Sequence, residues 1–149
     1  MMGNWEVSGV DDARELFQWF AHKEERAYAI SLKATGKVVG NLTVYNEPPV
    51  AVNTLSELKG KTGRSLSFSM ARQFRRRGLM FEAVSAVIDH LFRVENVDYI
   101  HSGYLDFNLP SQMLHQKLGF TYLTTLRFPS ENGDKEFVGI ENILMKPIE

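Results

Sequence analysis

The chain contains no cysteine. Disulfides, thiolate zinc sites and a cysteine nucleophile are thereby excluded, and a reducing compartment is compatible with the composition. Long apolar runs are also missing, since none approaches the ~18 residues of a membrane-spanning helix. The stretch MMGNWEVSGVDDARE lacks the basic-then-apolar order of a signal peptide, and Gly3 is not in the second position that myristoylation requires. Charge of one sign is not in excess: 17 Lys and Arg face 18 Asp and Glu, for a formal net charge of -1. Nothing global therefore points to nucleic acid. No repeat, low-complexity tract or linker is visible. What remains is ordinary globular material, 44% hydrophobic and 23% charged. The expectation is a single soluble, cytoplasmic domain over residues 1–149, without a membrane partner.

Periodicity supplies the elements. Asp11–Glu24 reads as a helix, with Ala13, Leu16, Phe17 and Phe20 at helical spacing. AYAISLKATGKVVGNLTVYNE reads as two strands around a turn at Thr35-Gly36. PPVAVNTLSELKGKTGR reads as an irregular connection with a short strand at Ala51–Asn53. SLSFSMAR alternates, with Leu66, Phe68 and Met70 on one face. The clearest helix follows the glycine at 78: Met80, Val84, Val87, Ile88 and Leu91 form an apolar stripe. VDYIHSGYL is a strand. NLPSQMLHQKLG is a short helix, with Pro110 suited to its first turn and Gly119 to its C-terminal cap. FTYLTTLRF and EFVGIENILMKP are strands joined by a hairpin at Glu131–Gly133, where Asn132-Gly133 is a strong turn signal. The strand–helix–strand crossover implies parallel pairing there, and hairpins imply antiparallel pairing elsewhere. The fold class is α/β: a mixed, mostly antiparallel central sheet with one parallel pair and helices on both faces.

The stretch RQFRRRGLMFEA places Arg72, Arg75, Arg76 and Arg77 just before that clearest helix. In a near-neutral chain this is a local feature. The first N–H groups of a helix have no intrahelical partner, and the helix dipole adds about half a positive charge. Gly78 permits close approach of a ligand to the backbone. A phosphorylated small molecule, above all a pyrophosphate, is the natural occupant. A nucleoside-triphosphate loop would need Gly-Lys-Ser/Thr, but Leu79 and Met80 follow the glycine. A dinucleotide fingerprint would need three spaced glycines, and one is present. Nucleic-acid binding would need a basic stripe with stacking platforms, for which Phe74 is a single candidate. The plain alternative is a solvated arginine loop without a ligand.

Arg75-x-x-Gly78-x-Met80, between an alternating strand and an amphipathic helix, resembles the acyl-CoA pyrophosphate signature of the GCN5-related N-acetyltransferases (GNAT). Met80 departs from the usual Gly or Ala, but GLMFEA is similar to the ribosomal-protein N-acetyltransferase branch. Downstream, Asn108-x-x-Ser111 followed by Lys117-Leu-Gly119-Phe120 resembles the family's second signature. The resemblance covers about Tyr28 to Pro147.

The resemblance implies an N-acetyltransferase moving acetyl from acetyl-CoA, a cosubstrate, to a primary amine through a tetrahedral intermediate, without a metal. The acceptor is a protein N-terminus or a small molecule. The parallel pair would form the acyl-CoA cleft. Met70, Ala71 and Arg72 would meet pantetheine, and the N–H groups of Arg75, Arg76, Arg77, Gly78, Leu79 and Met80 would hold the pyrophosphate. Asn108 and Ser111 would lie near the thiol, and Lys117 near the adenosine 3′-phosphate. The departing thiolate needs a proton, with His115 and Ser111 as rival donors. His115 also reads simply as a partly exposed histidine on a short helix. Glu47, His101, Tyr104 and Asp106 are base candidates, each also readable as an ordinary surface or strand residue. Glu82 reads as a structural charge in the helix first turn. The family's usual first strand has no counterpart here, which leaves a short version, a fragment, or a homodimer whose second copy fills the gap. A non-catalytic acyl-CoA-binding regulatory module is the alternative function.

Overall fold

The computed structural model describes residues 26–148. The elements run β1 (Arg26–Ser31), β2 (Val38–Tyr45), α1 (Val50–Asn53), β3 (Gly63–Met70), α2 (Leu79–Arg93), β4 (Tyr99–Leu105), α3 (Leu109–Leu118), β5 (Thr121–Pro129) and β6 (Glu136–Met145). The helix read at Asp11–Glu24 and the question of a first strand both fall outside the described residues.

Among the described residues, one six-stranded sheet carries the fold, in the order β1-β2-β3-β4-β6-β5. Of the described strands, only β3 and β4 pair in parallel, and every other neighbouring pair is antiparallel. The α2 crossover enforces that parallel pair, because a strand that returns in the same direction needs a long connection. The expected mixed sheet is therefore present, with its parallel pair at the centre.

The strand alternation seen in sequence sorts the two faces. Leu42, Val44, Leu66, Met70 and Ile100 point to the face covered by α2 and α3, and pack on Met80, Val84, Leu91 and Phe92 of α2. Met80, Val84 and Leu91 belong to the expected stripe, Val87 and Ile88 of that stripe are partly buried against the same core, and Phe92 joins it. Burying each large apolar side chain contributes about 1.5–3 kcal/mol. On the opposite face, Tyr99 and Ile143 pack on Val52 and Leu58. Glu95, after α2, pairs with Arg26 of β1, and so ties β1 to the crossover. Among the described residues no helix is long and apolar enough to cross a membrane.

One local expectation is overturned. Residues 51–53 form the helical turn α1 rather than a strand. Pro49 sits at its N-cap with φ near the value its ring imposes, and the N–H groups of Val52 and Asn53 both donate to its carbonyl, each at 2.9 Å. The alternation of Val50 and Val52 imitates a strand, yet only Val52 is buried.

Candidate active site

The pairing of β3 with β4 covers four rungs, from Gly63 opposite Tyr99 to Leu66 opposite Ser102. Beyond that rung β3 continues to Met70, still paired with β2, and β4 continues to Leu105, still paired with β6. The sheet thus forks at its centre. The Ala71 N–H donates to Val39 O at 2.8 Å, away from the fork. Backbone groups alternate sides along a strand. The N–H and C=O groups of Phe68 and Met70 therefore point into the fork, while those of Ala71 do not.

The arginine loop lies at the end of the β3 arm. Arg72–Phe74 form a 3-10 turn, and Gly78 is the N-cap of α2 with φ +74°. No side chain caps the helix, and a Cβ built on Gly78 would meet nothing within 4 Å. Arg76 is also left-handed, with φ 64°. Such a conformation costs a bulky residue on the order of 1 kcal/mol. The open, uncapped amides at this helix start fit a pyrophosphate. Arg72, Arg76 and Arg77 are exposed around it. Arg75 does something else. Its N–H donates to Arg72 O at 3.2 Å, and its Nε donates to Met70 O at 3.0 Å. It braces the loop against the strand end, so the row of amides begins at Arg76. Phe74 is half-buried, with Lys37 5.2 Å and Arg77 5.4 Å from its ring centre. That clasp removes it as a stacking platform.

On the same face, α3 lies beside the β4 arm. Asn108 is its N-cap, accepting from Ser111 N–H at 3.2 Å. Gly119 ends it with φ +94°. Lys117 is exposed and sits 4.3 Å from the Phe81 ring centre in the first turn of α2. Both residues line a groove of about 710 Å³ between α2 and α3.

His115 corrects the sequence reading, since it is 2% exposed rather than half out. It spans the fork: its ring stacks on Phe68 of β3 at 5.4 Å, and its Nε2 lies 2.7 Å from Ser102 Oγ of β4. Burial pushes its pKa down. Nδ1 lies 2.6 Å from Ser111 O, which can only accept, so the proton of the neutral ring belongs on Nδ1. Nε2 then accepts from the Ser102 hydroxyl. The one ring proton is thus committed to a carbonyl, an arrangement that positions rather than donates. Ser111 Oγ makes only a long 3.3 Å contact with Nδ1.

The other base candidates divide. Glu47 is exposed after β2. Tyr104 and Asp106 line a second cavity of about 440 Å³ behind α3, with Gln112, His115 and Tyr122. His101 is no surface residue. It is buried on the face opposite α2, with Nδ1 2.8 Å from Ser65 Oγ and Nε2 bonded to the carboxylate of Glu141. Sequence reasoning missed Ser65 and Glu141. The serine alternation in SLSFSMAR marks a polar strand face, but the partners depend on strand register.

A central parallel pair that forks beside the uncapped N-terminus of a helix sets the class of this mixed α/β sheet. Within that class, the chain belongs to the acetyltransferase (GNAT) domain family, whose profile matches residues 1–121. No curated protein matches it. Solved structures share the fold. A ribosomal-protein-S5-alanine acetyltransferase from Vibrio fischeri is 17% identical, with 89% of this chain and 68% of that one covered and a TM-score of 0.67. A GNAT-family acetyltransferase from Bacillus anthracis is 14% identical, with 91% and 74% covered and a TM-score of 0.72. A mutant of a spermidine N-acetyltransferase from Vibrio cholerae is 16% identical, with 98% and 82% covered and a TM-score of 0.67.

Proposed function

We propose that the protein is an N-acetyltransferase, a single domain that moves the acetyl group of acetyl-CoA onto a primary amine of a protein N-terminus or a small molecule. The observation that carries this is the fork, whose open backbone edge on β3 leads straight to the uncapped N-terminus of α2. Family membership supports it.

Each residue then has a task. The edge at Phe68 and Met70 pairs with the pantetheine arm as a further strand would. The amides from Arg76 to Met80 receive the pyrophosphate, with Arg72, Arg76 and Arg77 supplying mobile charge and Arg75 holding the loop to Met70. Lys117 meets the 3′-phosphate. Asn108 and Ser111 stand at the thiol end, and His115 fixes α3 across the fork.

The amine nitrogen attacks the thioester carbon directly. The Met70 N–H, aimed into the fork, donates to the oxyanion as it forms. Preorganised donors of this kind are worth about 10²–10³ in rate. As the C–N bond completes, the C–S bond breaks, and the Ser111 hydroxyl donates a hydrogen bond to the leaving sulfur. Release of free thiol from acetyl-CoA across a panel of primary amines tests the reading. Amine-dependent release that falls in Ser111→Ala supports it. Binding of acetyl-CoA without turnover of any amine would instead mark an acyl-CoA-binding regulatory module.

A further inference from the structure

Resting on the acetyltransferase reading, we propose that Glu141, held by His101 and Ser65, is the proton acceptor for the incoming amine, which reaches the fork from the face opposite α2 and α3.

The three side chains come from β3, β4 and β6 and meet on one face. Ser65 is opposite His101 in the parallel pair, on the rung before the last. Gly103 is the next residue of β4 on that face, the first beyond the final rung, and Glu141 of β6 is its cross-strand partner. The Glu141 carboxylate folds over Gly103, with Oε1 3.0 Å and Cδ 2.9 Å from where a Cβ would stand. A side chain at 103 would evict it. The carboxylate therefore occupies the floor of the fork, at the place where the strands part.

Burial makes this arrangement costly. Ser65 is 7%, His101 4% and Glu141 3% exposed. A buried carboxylate is expensive to desolvate and needs hydrogen-bonding partners. Its geometry, by contrast, suits proton transfer. Nδ1 of His101 shares a hydrogen bond with the Ser65 hydroxyl, and its Nε2–H donates to Glu141 Oε2. This leaves a carboxylate whose second oxygen can receive a proton. Among the described residues, the groups beside it include His101 on β4, Ser65 on β3 and Thr124 across on β5. His115, on the far face, also feels both His101 and Glu141.

The direction of approach follows from the two faces. The anion cradle is at the start of α2, so the phosphate end of the cosubstrate lies on the helix side. The arm enters the fork from there, and the nucleophile comes from the other face. A primary amine is an ammonium near neutral pH. A buried carboxylate attracts it and then takes a proton. Of the two protons the nitrogen gives up, one passes to Glu141 and then to solvent, and one leaves with sulfur as the free thiol. The nitrogen lone pair becomes the C–N bond, and the C–S pair leaves on sulfur.

The test is the pH profile of kcat/KM for the parent and Glu141→Gln, using an amine the parent acetylates, with acetyl-CoA affinity measured by thermal shift. The expected result is unchanged acetyl-CoA affinity and a loss of roughly 10²–10⁴ near pH 7. That loss shrinks as pH approaches the amine's own pKa. If Glu141→Gln does not fold, Gly103→Ala displaces the carboxylate without removing a charge, and the same loss at unchanged affinity is expected. An active parent whose folded variant keeps rate and profile overturns this proposal alone. A parent that binds acetyl-CoA but acetylates no amine overturns the function and this proposal together.

Discussion

His115 Nε2 lies 2.7 Å from Ser102 Oγ, and this contact joins α3 to β4 at the rung where the sheet forks. The same ring stacks on Phe68 of the other arm. One buried side chain thus sets the spacing of the two arms.

Ser102→Ala removes the donor to a buried ring nitrogen. An unsatisfied buried polar atom costs about 1–3 kcal/mol. Thermal or urea unfolding is expected to show that loss, and a variant as stable as the parent would remove the contact from the list of what holds the fork.

His115 also predicts a pH dependence of stability. Burial holds its folded pKa below the unfolded value of 6.5. The folded state then binds fewer protons than the unfolded state between those two values. Its contribution is fully present above 6.5, and is lost as pH falls through the folded value. Unfolding free energy measured from pH 8 to pH 5 is expected to fall less steeply in His115→Gln than in the parent. Equal slopes would contradict the neutral, Nδ1-protonated ring.

Lys117 carries a separate prediction. Its ammonium stands over Phe81 at the rim of the inter-helix groove. Lys117→Ala is expected to weaken acetyl-CoA binding by up to about fivefold, the worth of one exposed ion pair. It is also expected to abolish any preference for coenzyme A over its 3′-dephospho form. Isothermal titration with both ligands reads this out, and a preference that survives places the 3′-phosphate elsewhere.

Local signals were legible and long-range ones were not. The stripe of Met80, Val84 and Leu91, the Asn108 cap, the Gly119 stop and the Asn132-Gly133 turn each announce an element from neighbouring residues, and each element is present. The arginine loop was legible for the same reason. Prolines in front of Val50 and Val52 decided α1 against their strand-like alternation. His115 could not be placed from its own helix, because its burial comes from Phe68, Tyr104 and Phe120 on three other segments. Ser65, His101 and Glu141 meet only through the register of three strands, which no local pattern states.

The central claim is that the start of α2 holds the phosphates of acetyl-CoA. Gly78→Asp tests it most directly. Aspartate tolerates the left-handed backbone and suits an N-cap, so the fold is retained while a carboxylate enters the cradle. The measurement is the melting temperature of parent and variant with and without acetyl-CoA. At one hundred times its dissociation constant the ligand adds about 2.7 kcal/mol, a rise of roughly 5–10 °C for a domain of this size. The expected result is that rise in the parent and none in Gly78→Asp. No rise in a folded parent, or an equal rise in both, would contradict the assignment.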